Sequence, residues 1–226
     1  MKYVSLNHNS SPTSFMKAVI NGLAPDKGLY YPQEKIALSK KFIESIKDID
    51  DVDICYEIIN KYIGGEIPKS KLIDIIDKTI SFKIPLKKID NSIYSLELFH
   101  GPTLAFKDIG AKFMAQCLDY FKSNYSSKKI TVLVATSGDT GGAVARGFLG
   151  TKDIEVCILY PKGKISKVQE QQITTNGNYV KAIEVEGDFD KCQSMVKKAF
   201  NDEEINRKIA LTSANSINVA RWLPQM

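Results

Sequence analysis

The chain has 226 residues, 43% of them hydrophobic, and a formal net charge of +5. That length and apolar share allow one or two globular domains with a sizeable core, and no apolar run reaches the roughly 20 residues that a membrane-spanning helix needs. The start, Met1-Lys2-Tyr3-Val4-Ser5, lacks the basic-then-apolar order of a signal peptide; Cys55, Cys117, Cys157 and Cys192 stand far apart, and His8 and His100 are the only histidines. The expectation is a cytoplasmic protein with no metal site. The positive charge sits on lysines scattered over nearly every segment, with no arginine stripe, which argues against nucleic acid and suits an anionic small molecule.

Residues 1–90 read as a small helical domain. Helices are expected at 14–23, 40–48, 52–63 and 69–79, the last opened by Pro68 and facing its core with Ile73, Ile76 and Ile80. The turn Ala24-Pro25-Asp26-Lys27-Gly28 and the Tyr31-Pro32 pair break the chain between the first two. From Ser92 the pattern changes. Residues 93–98 alternate like a strand, and 104–122 form a helix with Phe106, Ile109, Phe113, Cys117 and Phe121 on one stripe. Strands at 130–135, 154–159, 179–185 and 208–211 then alternate with helices at 140–149, 165–175 and 189–200, which predicts an α/β unit over 91–226 with βαβ crossovers and a parallel sheet.

Two places in this α/β unit carry chemistry. Lys107 stands at a strand-to-helix handover among Ala105, Phe106 and Ile109. An ammonium enclosed by apolar groups loses its hydration, which favours the neutral, nucleophilic amine that forms Schiff bases. Ligands of parallel sheets gather beyond the carboxyl ends of the strands, and the turn after 130–135 is Thr136-Ser137-Gly138-Asp139-Thr140-Gly141-Gly142. Its glycines permit close backbone approach, Ser137 and Thr140 offer hydroxyls, and a helix N-terminus follows that can hold a carboxylate or phosphate. The turn lacks the Gly-Lys-Ser/Thr ending of a nucleotide P-loop and the spaced glycines of a dinucleotide fingerprint.

The order of these elements resembles the threonine synthase family, of the fold type II pyridoxal-phosphate (PLP) enzymes, over essentially the whole chain. Ser14-Phe15 with Ala18, then Gly22 through Pro32, is similar to the family's N-terminal signature. His100-Gly101-Pro102-Thr103-Leu104-Ala105-Phe106-Lys107-Asp108 is similar to its cofactor-lysine motif, and Ser137-Gly138-Asp139-Thr140-Gly141 to the loop that meets the cofactor ring and substrate carboxylate. Asn215-Ser216-Ile217-Asn218-Val219-Ala220-Arg221 is similar to the segment that holds the substrate's phosphate; the forked donors of an arginine suit that anion.

The resemblance implies conversion of O-phospho-L-homoserine and water to L-threonine and phosphate, with PLP on Lys107 and that lysine as the proton-moving base. It implies cofactor contacts from Ser137, Gly138, Asp139, Thr140 and Gly141, and substrate contacts from Thr103, Ser137, Thr140, Asn215, Ser216, Asn218 and Arg221. Asp108 is expected to be a structural or helix-terminal charge, and His100 a packed histidine. Family members are considerably longer, and nothing in Trp222-Leu223-Pro224-Gln225-Met226 supplies their later glycine-rich phosphate loop. The expectation is therefore a fold type II catalytic domain left incomplete at its C-terminal end, slow or inactive alone, with exposed apolar surface and a possible homo-oligomer. Two rival readings are a related PLP lyase that releases a keto acid and a non-catalytic relative.

Overall fold

The computed structural model describes residues 1–125 and 129–225. Strand β1 (Tyr3–Ser5) and helix α1 (Phe15–Asn21) open the fold. The Ser14 hydroxyl accepts the Lys17 N–H, the Glu66 carboxylate takes the N–H groups of Phe15 at 2.7 Å and Met16 at 2.9 Å, and Gly22 at φ 70° ends the helix. Strand β2 (Tyr30–Pro32) pairs antiparallel with β1, so Tyr31-Pro32 is strand rather than a bare break. A proline is tolerated because it ends a two-stranded ribbon.

Helix α2 (Lys40–Ser45) tightens into a 3₁₀ turn over Ile46–Asp48 and is followed by α3 (Asp51–Ile63) and α4 (Lys69–Thr79). The buried face of α4 is Leu72, Ile75, Ile76 and Thr79. Of the three isoleucines expected there, only Ile76 is fully inside, because Leu72, Ile75, Ile76 and Thr79 make up the buried stripe and leave Ile73 and Ile80 at its margin.

Strands β3 (Leu86–Lys88) and β4 (Tyr94–Leu96) form a short antiparallel hairpin, of which the sequence pattern finds only the second strand. The α/β part follows with α5 (Lys107–Tyr125), β5 (Ile130–Ala135), α6 (Asp139–Gly147), β6 (Ile154–Pro161), α7 (Lys167–Thr174) and β7 (Val180–Val185). Helices α8 (Phe189–Asn201) and α9 (Glu203–Lys208), strand β8 (Ala210–Ser213) and helix α10 (Val219–Trp222) complete it. The sheet order is β7-β6-β5-β8, every pairing parallel. The last strand starts two residues later than the apolar pattern suggests, because Asp202 caps α9 by accepting the Glu204 and Ile205 N–H groups and keeps Lys208 helical.

One apolar cluster joins the N-terminal helices to α5 and the sheet. At the joint, the Phe15 ring lies 5.9 Å from Tyr3 and 6.0 Å from Phe121. Full burial of such a ring stabilises the fold by roughly 1.5–3 kcal/mol. None of the described helices is long and apolar enough to cross a membrane.

Candidate active site

Helix α5 begins at Lys107, not at residue 104. Asp108 explains the difference. Its carboxylate is buried, accepts the Thr103 N–H at 2.9 Å and the Thr103 hydroxyl at 2.6 Å, and so folds residues 101–106 back over the helix start. Leu104 is left at φ 59°, a left-handed conformation that no helix interior uses. Gly101 is needed at this turn: a Cβ there would come 2.5 Å from Asp108 Oδ2.

The apolar collar expected around Lys107 is not present. Ile109 is buried, but Phe106 is 47% exposed and lies outside the helix. The Lys107 Nζ sits 4.6 Å above the Phe106 ring and 3.5 Å from Asp139 Oδ2. An exposed aromatic face and a carboxylate hold the amine in place. His100 is exposed rather than enclosed; its ring lies 4.8 Å from that of Phe99 and its Nε2 2.8 Å from Glu97 Oε2.

Asp139 opens α6 at the carboxyl end of β5. In the turn, the Thr136 Oγ1 accepts both the Gly138 N–H at 3.0 Å and the Gly141 N–H at 2.8 Å. Gly138 is at φ 136°, and Gly141 packs so closely on β6 and α7 that a Cβ would meet Ile158 and Ile173. Among the described residues the Asp139 and Thr140 N–H groups have no partner. Ser137 is exposed and Thr140 half-buried beside them.

The segment after β8 divides into two kinds of residue. Asn215 and Ser216 are exposed at the turn. Asn218 is fully committed within the chain: its Nδ2 donates to the Val19 and Ser213 carbonyls and its Oδ1 caps α10. Arg221 is 2% exposed, donates through Nη1 to the Ala214 carbonyl at 2.7 Å, and leaves its buried Nε without a partner. Burial pulls its pKa down to about 10. It packs on Gly110, where a Cβ would stand 2.5 Å from the Arg221 carbonyl and 3.2 Å from Nε. Gly110 is about one turn along α5 from Lys107. Helix α5 therefore brings the lysine motif, the 136–142 turn and the 215–221 segment together, with Asp139 at its first residue and Arg221 one turn on.

Residues 80–223 match the family model described as pyridoxal-phosphate dependent enzyme. The chain belongs to that family. Residues 2–80 match the model described as threonine synthase N terminus. The whole chain is 45% identical to threonine synthase of Buchnera aphidicola and 42% identical to that of Escherichia coli, covering 52% of each. The solved Escherichia coli threonine synthase superposes with a TM-score of 0.91 over 100% of this chain and 52% of its own. A PLP-bound threonine synthase from Brucella melitensis gives 0.92 at 38% identity, over 100% of this chain and 50% of its own. The chain thus spans about half the length of the curated relatives it matches.

Around Lys107 and Asp139, two glutamines escape sequence reasoning. Gln169 Nε2 donates to Asp139 Oδ1 at 2.8 Å, and Gln172 Nε2 donates to the Thr103 carbonyl at 3.4 Å. The Ser166-x-x-Gln169 capping box was the available signal for the first. Nothing local marks Gln172, because its partner is 69 residues away.

Proposed function

We propose that this chain carries the lysine-bearing part of a threonine synthase, which converts O-phospho-L-homoserine and water to L-threonine and phosphate with PLP bound to Lys107. The observation that carries the reading is the convergence on α5, with the Lys107 amine 3.5 Å from Asp139 and Arg221 lodged against Gly110.

The residues fit the cofactor and the substrate. An amine beside the carboxylate of Asp139, whose own N–H and that of Thr140 have no partner among the described residues, is a donor set for an anionic aldehyde. When bound, PLP accepts the negative charge that develops at the substrate carbons. Lys107 acts first as the nucleophile that holds the cofactor and then as the base that takes and returns protons at the α and β carbons. Asp139 orients the amine. Ser137 and Thr140 line the approach, with their hydroxyls assigned to the substrate carboxylate, while Gly138 and Gly141 shape the turn, since their N–H groups are taken up by Thr136 and their faces by Gln169 and Ile173. Arg221, a buried cation with an unpartnered Nε, is assigned to the substrate phosphate with Asn215 and Ser216. Thr103 and Asn218 serve by holding their segments, since their polar atoms are taken up by Asp108, Val19 and Ser213. The reading places the protein among lyases acting on phosphate esters, in the cytoplasm.

Product analysis tests the reading. The longest natural polypeptide that contains this sequence is loaded with PLP and given O-phospho-L-homoserine. Equal amounts of threonine and phosphate, lost in Lys107→Ala, are expected. A keto acid in place of threonine would move the chain to a different lyase, and no turnover would overturn the assignment.

A further inference from the structure

One glutamine side chain on α7 makes two contacts that tie the helix start to the site. Gln169 Oε1 accepts the Ser166 N–H at 3.0 Å, and Ser166 Oγ in return accepts the Gln169 N–H at 3.2 Å, the reciprocal pair of a capping box. The amide nitrogen left over donates to Asp139 Oδ1 at 2.8 Å. The amide lies flat over Gly138, where a Cβ would come 2.3 Å from the Gln169 Cδ. Because Oε1 is fixed by an N–H and Nε2 by a carboxylate, neither contact survives a flip of the amide. One oxygen of Asp139 is thereby assigned to Gln169, and the other is the one that faces Lys107.

We infer that Gln169 is a positioning residue for the Lys107–Asp139 pair, holding residue 139 in the one orientation that presents Oδ2 to the lysine amine. The inference deepens the reading of Lys107 and Asp139 as site residues and rests on it for its importance to catalysis. The contact geometry itself is independent of the cofactor. Helix α7 is well placed to hold the turn, since Gln169, Gln172 and Ile173 lie over Gly138, Gly142 and Gly141 and the two elements interlock side chain against glycine.

Gln169→Glu separates positioning from capping. Glutamate serves a capping box as well as glutamine, so the acceptor for the Ser166 N–H is kept, while a carboxylate replaces the donor to Asp139. The experiment uses the 226-residue chain without cofactor. It measures the acetylation rate of Lys107 by trace acetic anhydride at mildly alkaline pH, relative to the exposed lysines of the same sample, together with the urea midpoint. We expect Q169E to speed Lys107 acetylation by about threefold or more, as repulsion between the two carboxylates turns Asp139 Oδ2 away from the amine, and to lower the midpoint. The double variant D139N/Q169E restores the hydrogen bond with donor and acceptor exchanged, so both quantities return towards wild type. If Q169E leaves both unchanged, Gln169 only caps α7 and the inference fails. If Q169E does not fold, the double variant decides: its folding supports the contact, and its failure to fold, or to recover either quantity, overturns it. Since no cofactor is present, these results stand whether or not Lys107 proves to hold PLP.

Discussion

The Thr103 hydroxyl is 2.6 Å from one oxygen of the buried Asp108 carboxylate, and the Thr103 N–H is 2.9 Å from the other. This clamp fixes the turn that aims Lys107. Asp108→Ala strands a buried N–H and a hydroxyl, and the expected loss is about 2 kcal/mol of stability. Urea denaturation measures it. Asp108→Asn, which keeps one acceptor, is expected to lose less.

Gly138 combines a φ of 136° with an approach to Gln169 that leaves no room for a Cβ. Gly138→Ala is expected to cost roughly 2 kcal/mol or more, since both strain and overlap must be relieved. Gly150, at φ 81° with open space around it, provides the comparison. Gly150→Ala is expected to cost about 1 kcal/mol from the backbone alone. Equal losses in the two variants would show that the Gln169 contact is unimportant to the turn.

Glu66 lies 51 residues from Phe15 in sequence yet accepts the first N–H groups of α1 through both oxygens. Charge-assisted bonds to a helix start are among the stronger polar contacts, so Glu66→Ala is expected to lower stability by about 2 kcal/mol. Glu66→Gln, which retains one acceptor, should recover part of it in the same denaturation series.

Burial pushes the thiols of Cys117, Cys55, Cys157 and Cys192 and the phenol of Tyr3 above their ordinary values. These groups keep their protons in the folded chain while the unfolded chain begins to release them near about pH 8.5 for thiols and 10 for tyrosine. The folded state then binds more protons, so this contribution to stability is full below that range and is lost as the pH rises through it. Lys112 and Arg221 work in the opposite sense, because burial lowers their pKa and the penalty they carry is relieved on deprotonation. Cys117→Ala removes one of the former groups. Its urea midpoint is expected to fall less than that of wild type between about pH 7.5 and 9.5, and a parallel fall would contradict the account.

Much of this architecture can be read from the residues. The buried run Ile130–Ala135 and the helical spacing of Ile109, Phe113 and Cys117 locate β5 and α5, because full burial on a parallel sheet and a 3.6-residue stripe each leave a clear pattern. The start of α5 is misplaced by three residues, since a side chain five positions away, Asp108 acting on Thr103, decides where the helix begins. The ribbon of β1 and β2 and the hairpin of β3 and β4 are too short for periodicity to reveal. At the site, the motifs name Lys107, Asp139 and Arg221, but their meeting on α5 depends on Gly110 and on Gln169, whose roles come from approach in space. The environment of Lys107 is misjudged for the same reason: its sequence neighbours are apolar, and Asp139, the carboxylate that faces it, arrives from 32 residues away.

The proposed function rests on Lys107 as the lysine that takes the cofactor. The most direct measurement is to treat the 226-residue chain with less than one equivalent of PLP, reduce with borohydride, and map the pyridoxyl group by peptide mass spectrometry. Most of the label is expected on Lys107, and Lys107→Ala is expected not to transfer it to a single other lysine. Label spread over the exposed lysines, or concentrated on a different one while Lys107 stays unmodified, would contradict it.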